Sequence, residues 1–118
     1  MKITLPLPPP ENERLIYAKH MGRFVLSKKY RDYKKLARWE LLKLKLRENW
    51  ELQKPTFEDQ LQITIEVFLP NKKRDAHGIL KPLMDVMEGF IYDNDRWVVP
   101  RFTLFQLDRH KPRVEVII

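Results

Sequence analysis

The sequence predicts an α+β fold: one small mixed β-sheet with a long basic helix and a shorter second helix packed on it. Three observations carry this. Residues Lys28–Asn49 contain no glycine or proline, and apolar side chains recur along them at helical spacing. Leu61–Leu69 alternates apolar and other residues, as a half-buried strand does. Shorter period-two segments open and close the chain. With 118 residues, 43% hydrophobic and 33% charged, the chain is long enough for one core and too short for two. A single domain over residues 1–118 is expected.

The elements follow in order. Ile3-Thr4-Leu5-Pro6-Leu7 reads as a strand, and Pro6, which lacks a donor for a ladder, places it at a sheet edge. Pro8-Pro9-Pro10 forces an extended exit. Leu15–Lys19 and Arg23–Leu26 flank His20-Met21-Gly22, a hairpin whose turn is supplied by glycine. Ser27 is placed to cap the long helix. Tyr33, Leu36, Ala37, Leu41 and Leu44 are expected to face the core. Trp39, Leu42 and Leu46 form a second apolar strip, to be covered by a partner subunit or by the N-terminal hairpin.

Lys54-Pro55 closes that region, and in the strand that follows Leu61, Ile63, Ile65, Val67 and Leu69 point inward. Pro70–Arg74 is a basic loop. A second helix is expected over Gly78–Ile91, buried along Ile79, Leu83, Val86, Met87 and Phe90, with Pro82 tolerated only in its first turn. Trp97–Gln106 and Arg113–Ile118 read as two further strands joined by the polar turn Asp108–Pro112.

Composition narrows the function classes. No cysteine is present, which removes disulfides, thiolate metal sites and cysteine nucleophiles, and suits a reducing, cytoplasmic interior. Three glycines and no GxxxxGK[ST] or GxGxxG exclude a glycine-rich phosphate loop. No stretch approaches the ~20 apolar residues that span a bilayer, and the N-terminus lacks the apolar core of a signal peptide. The net charge of +7 is uneven: residues 1–58 hold 14 Lys+Arg against 7 Asp+Glu, whereas residues 59–118 hold 9 of each. A one-sided basic field attracts polyanions, nucleic acid first among them. Lys28, Lys29, Arg31, Lys35 and Arg38 on the long helix, with Lys72, Lys73 and Arg74 in the basic loop, are the expected phosphate contacts.

The unusual residues concentrate in 71–95. Asp75 ends a strand-to-helix loop directly after three cations. His77, Lys81 and Asp85 follow at i, i+4 and i+8 on one side of the second helix. Asp93-Asn94-Asp95 forms the next turn, and a chain returning antiparallel to the helix brings Asp95 back toward Asp75. Two carboxylates from separate loops, under a basic surface, are what a hard cation needs near a phosphate. The same residues also have ordinary uses: helix capping for Asp75 and His77, turn formation for Asp93-Asn94, and a surface i, i+4 pair for Lys81 and Asp85.

The stretch Arg74-Asp75-x-His77-Gly78-x-x-Lys81-Pro82-Leu83-x-Asp85, followed by Gly89-x-x-Tyr92-x-Asn94-Asp95-x-x-Val98, resembles the RusA-like Holliday junction resolvases. The opening strand with Pro8-Pro9-Pro10-x-Asn12, and the Gly22-Arg23 hairpin leading to Ser27 and Tyr30-Arg31, extend the resemblance over nearly the whole chain. It implies a homodimeric, Mg²⁺-dependent endonuclease that cuts four-way DNA junctions symmetrically, of prokaryotic or phage type, cytoplasmic and nucleoid-associated. It further implies that Asp75 and Asp95 are catalytic metal ligands and Lys81 a catalytic lysine. His77 stands where the family has its second aspartate, and Gly78 where an asparagine follows it. His77 is therefore expected as a weak metal ligand or proton shuttle, and its nitrogen suits Mn²⁺ better than Mg²⁺. The alternative the departure raises is a protein that binds branched DNA but no longer cuts it.

Overall fold

The computed structural model describes residues 1–118. The strands are β1 (Lys2–Pro6), β2 (Leu15–Ala18), β3 (Arg23–Leu26), β4 (Leu61–Leu69), β5 (Val98–Leu107) and β6 (Arg113–Ile117). The helices are α1 (Lys28–Glu48) and α2 (Leu80–Met87), with single 3₁₀ turns at Glu11–Glu13 and His77–Ile79. The main sheet has the order β1-β6-β4-β5, antiparallel except for β4 and β5. It is mixed, as expected, and β1 with its Pro6 lies at an edge. β2 and β3 form a separate two-stranded sheet. No helix is long and apolar enough to cross a membrane.

The parallel pair follows from connectivity. The chain between β4 and β5 is long enough to carry α2 as a crossover, whereas β5 and β6 are joined only by residues 108–112. Yet β5 and β6 do not pair; β4 lies between them. Opposite Ile65 and Glu66 of β4 stand Phe102 and Leu104, so Thr103 is an extra residue on β5. Such a bulge reverses the alternation of side chains beyond it. Phe102 and Phe105, three residues apart, consequently face the same side.

One core joins the sheet to both helices. Ile3, Leu5, Ile63, Ile65, Val67, Val114 and Val116 meet Tyr33, Ala37, Leu41 and Leu44 of α1 and Leu83, Val86 and Met87 of α2. α1 packs along β1 and against α2. Ser27 caps α1 as expected, its hydroxyl accepting from the Tyr30 amide at 3.2 Å. Asn49 ends the helix in the left-handed conformation, φ 49°.

Three expectations need correction. Leu36 is 59% exposed, and Tyr30 is buried in its place. At 100° per residue Leu36 falls on the flank of the stripe Tyr30, Tyr33, Ala37, Leu41 and Leu44. α2 stops at Met87 instead of Ile91, because Glu88 turns extended and Gly89 takes φ +88°. Phe90 therefore lies beyond the helix, only half-buried. The N-terminal hairpin does not cover Trp39, Leu42 and Leu46; all three are exposed on α1 opposite the core.

Candidate active site

The second helix begins on a tight loop. Asn71 Oδ1 accepts from the amides of Lys73 and Arg74 at 2.9 and 3.1 Å, which shapes the basic turn. Two residues on, Asp75 Oδ1 accepts from the His77 amide at 2.9 Å, and the His77 Nδ1 lies 3.8 Å from the same oxygen. Both side chains are largely exposed, and the Asp75 carboxylate lies alongside Gly78. The imidazole is held edge-on against Phe102 and Phe105, with centroids 5.9 and 5.3 Å away. The bulge in β5 is what lets both rings reach it.

From His77 a cleft of about 530 Å³ runs along α2. His77, Lys81, Asp85, Asp95 and Glu11 supply its polar lining, and Leu80, Met84, Val98 and Pro100 its apolar wall. Lys81 and Asp85 share the cleft without forming an ion pair within 4 Å, so the surface-pair expectation is not what the structure shows. Asp75 lines an adjoining cleft with Glu13, Lys73 and Arg74, and Glu11 and Gly78 border both. Asp95 stands where β5 begins, its carbonyl accepting from the Val98 amide at 3.1 Å. Roughly 13 Å of strand separates Val98 from Phe102, at ~3.3 Å per residue. No three of the His, Asp and Glu side chains converge into a ready-made metal shell.

The donor chemistry nonetheless fits a hard divalent ion. Carboxylate oxygens are present in the cleft, and such an ion takes one or two of them and completes its shell with water and phosphate oxygens. Two nearby tyrosines feel the carboxylates of the cleft. Burial pushes the Tyr92 phenol far above its ordinary range, and the charges of Asp95, Glu88 and Asp85 push it further. Burial also raises Tyr30, with Arg14 opposing and Asp85 and Glu11 adding to the rise. Both phenols thus keep their proton and remain able to donate a hydrogen bond.

The expected phosphate contacts are spread over two surfaces. Lys72 and Lys73 are exposed beside the Asp75 cleft, and Lys28, Lys29, Arg31, Lys35 and Arg38 are exposed on α1. Lys29 is within 3.5 Å of Glu13. Arg74 differs: its guanidinium is partly buried and donates to the Pro8 carbonyl, tying the proline run to the basic loop. Burial holds its pKa below the usual arginine value, with Glu13 and Asp75 opposing.

Two cleft residues had no role at the site in the sequence reading: Asp85 was named only for its place on the helical face, and Glu11 was not singled out. Asp85 had a signal, its i+4 position after Lys81. Glu11 had none, since only the fold carries the residue after the proline run to α2. The turn bearing Asp95 is also positioned by a distant segment. The Gln53 carbonyl accepts from the Asp93 amide at 2.9 Å, and the Gln53 amide donates to Ile91 at 3.0 Å.

No curated protein matches the chain. A family model described as Endodeoxyribonuclease RusA matches residues 6–118. That match covers β2 to β6, both helices and every residue of the two clefts, and the α+β architecture is consistent with it. The chain belongs to the RusA endodeoxyribonuclease family.

Proposed function

We propose that this chain is a divalent-metal-dependent endodeoxyribonuclease that resolves four-way DNA junctions by symmetric phosphodiester hydrolysis, as a homodimer in the cytoplasm at the nucleoid of a prokaryotic or phage-type system. The observation that carries the reading is the concentration of Asp75, His77, Lys81 and Asp95 on two adjoining clefts bordered by the basic loop, in a chain of this family. A bound Mg²⁺ or Mn²⁺ would be held by Asp75 and Asp95 with His77 as a further donor, and would supply Lewis acidity to a phosphoryl oxygen and lower the pKa of a water. Lys81 has no ion partner and is free to stabilise the charge that builds on the phosphate during displacement. Lys72 and Lys73 hold the backbone on either side without reading bases. A two-fold dimer presents two such sites to two equivalent strands, and the exposed strip on α1 supports that assembly.

His77 in place of a carboxylate, with no ready-made three-ligand shell, favours a second reading: a protein that binds branched DNA without cutting it. One experiment separates the two. A labelled four-way junction, a matched duplex and a single strand are incubated with the protein in Mg²⁺ and in Mn²⁺. Symmetric nicks in the junction, lost in Asp75→Asn and Asp95→Asn while binding persists, support the nuclease. Binding without nicks in either ion establishes the second reading.

A further inference from the structure

The β2–β3 hairpin carries an apolar face that the fold leaves largely uncovered, with Leu15, Tyr17 and Phe24 exposed and Leu26 half-buried. The two strands pair with each other, and no other strand or helix packs closely on them. Tyr17 stands opposite Phe24 and Leu15 opposite Leu26, so all four share one face. The Tyr17 and Phe24 rings meet edge-on at 5.3 Å and remain 55% and 67% exposed. A bare two-stranded hairpin is marginal in water, and large aromatic rings held in the open mark a surface meant to be covered.

Charge identifies the cover. Residues 14–31 contain six Lys and Arg and no Asp or Glu. A second copy docked through the same face would set these cations against themselves, because a two-fold contact is self-complementary. Nucleic acid offers the opposite: phosphates for the cations and flat base faces for the rings. In plain duplex those faces are hidden in the stack. At a branch point the stack is interrupted, and the pairs flanking it present an open face. The hairpin also rises from the rim of the cleft. At its root the Arg14 guanidinium lies 5.4 Å over the Tyr30 ring, and Tyr30 feels the charges of Asp85 and Glu11, both cleft residues.

We propose that the β2–β3 hairpin is the branch-sensing element: Tyr17 and Phe24 stack on bases laid bare at the branch point, while Lys19 and Arg23 hold the flanking phosphates. The inference rests on the reading of the chain as a protein of branched DNA, and it names the residues that tell a branch from a plain duplex. Apolar side chains wedged against open base steps, and aromatic stacking on unpaired bases, are the physical precedents.

The test is metal-free equilibrium binding, by fluorescence anisotropy, of a four-way junction and of a duplex with the same arm sequence. Wild type, the double variant Tyr17→Ser/Phe24→Ser and the conservative Phe24→Tyr are compared. Both rings lie outside the core, so the variants retain the fold. Wild type is expected to prefer the junction. The double variant is expected to lose about tenfold or more on the junction and about twofold or less on the duplex, since base stacking contributes strongly per ring. Phe24→Tyr keeps a ring and keeps the preference. An unchanged junction preference in the double variant overturns the hairpin assignment and leaves the function reading standing. A parallel loss on both substrates overturns it as well. No junction preference in wild type overturns both together. A drop in sedimenting mass for the double variant would show the hairpin to be a self-association surface instead.

Discussion

The phenol of Tyr92 donates to the Met84 carbonyl at 2.6 Å and lies 3.7 Å from the Met84 sulfur. Met84 is in the last turn of α2, where backbone carbonyls lack helical partners. Tyr92 is fully buried. One hydrogen bond thus ends the helix bearing Lys81 and Asp85 and ties it to the turn bearing Asp95. Because burial and the nearby carboxylates keep the phenol protonated, the donor is available at any working pH.

Tyr92→Phe removes that donor and leaves a buried carbonyl unpaired. A loss of about 1–2 kcal/mol in stability is expected, read as a lower urea midpoint with unchanged slope. As a positioning residue, Tyr92 should act on turnover more than on binding. Nicking is expected to slow while junction affinity holds. A stability loss with full nicking activity would confine Tyr92 to a structural role.

His77→Asp exchanges a nitrogen donor for an oxygen donor at the mouth of the cleft. Oxygen favours the harder ion, so the ratio of Mg²⁺-supported to Mn²⁺-supported nicking is expected to rise. The variant also loses the contacts with Phe102 and Phe105, at about 1 kcal/mol, which thermal unfolding would register separately. An unchanged metal ratio would mean that the imidazole does not touch the ion.

Trp39, Leu42 and Leu46 lie opposite the buried stripe of α1 and outside every intramolecular contact that buries the helix. Sedimentation equilibrium of the wild type at micromolar concentration is expected to give twice the monomer mass. Trp39→Lys/Leu46→Lys should give the monomer without loss of thermal stability beyond that of subunit separation. A monomeric wild type would remove the dimer and, with it, symmetric cutting.

Arg113 joins the last turn to the sheet. Its Nη1 reaches Asp108 at 2.8 Å and its Nε reaches Glu115 at 3.1 Å, while the guanidinium lies 3.8 Å over Phe68. The Arg113 hydrogen bond holds Asp108 below the ordinary carboxylate range, aided by the Lys111 amide. Burial alone would raise Glu115, but hydrogen bonds from Lys2 and Arg113 bring it below its ordinary value. Carboxylates depressed in the fold stabilise it above their unfolded pKa, about 4. That contribution is lost as the pH falls through the lower folded values. The urea midpoint should therefore hold near neutrality and fall below about pH 4. Arg113→Leu is expected to flatten this acid limb; an identical limb would assign the acid sensitivity to other carboxylates.

The local features were legible in the chain alone. Ser27 as cap, the extent of α1, the inward face of β4, the edge position of β1 and the α+β class all follow from periodicity, capping chemistry and proline, which act over a few residues. The spacing of His77, Lys81 and Asp85 on one helical face was legible for the same reason. The features that were not legible there involve residues far apart in the chain. The insertion of β4 between β5 and β6 depends on which ladders close best, and no window of sequence contains both partners. Leu36 sits on the helix flank and stays exposed because β1 and α2 cover the adjacent stripe. α2 ends early because Gly89 turns left-handed and Tyr92 takes the carbonyl that another helical turn would have used. Glu11 enters the cleft because the fold carries the segment after the proline run, tied to the basic loop by Arg74, to α2, and the turn bearing Asp95 is held by a bridge from Gln53. Periodicity reports which face a residue prefers; only long-range packing decides what that face meets.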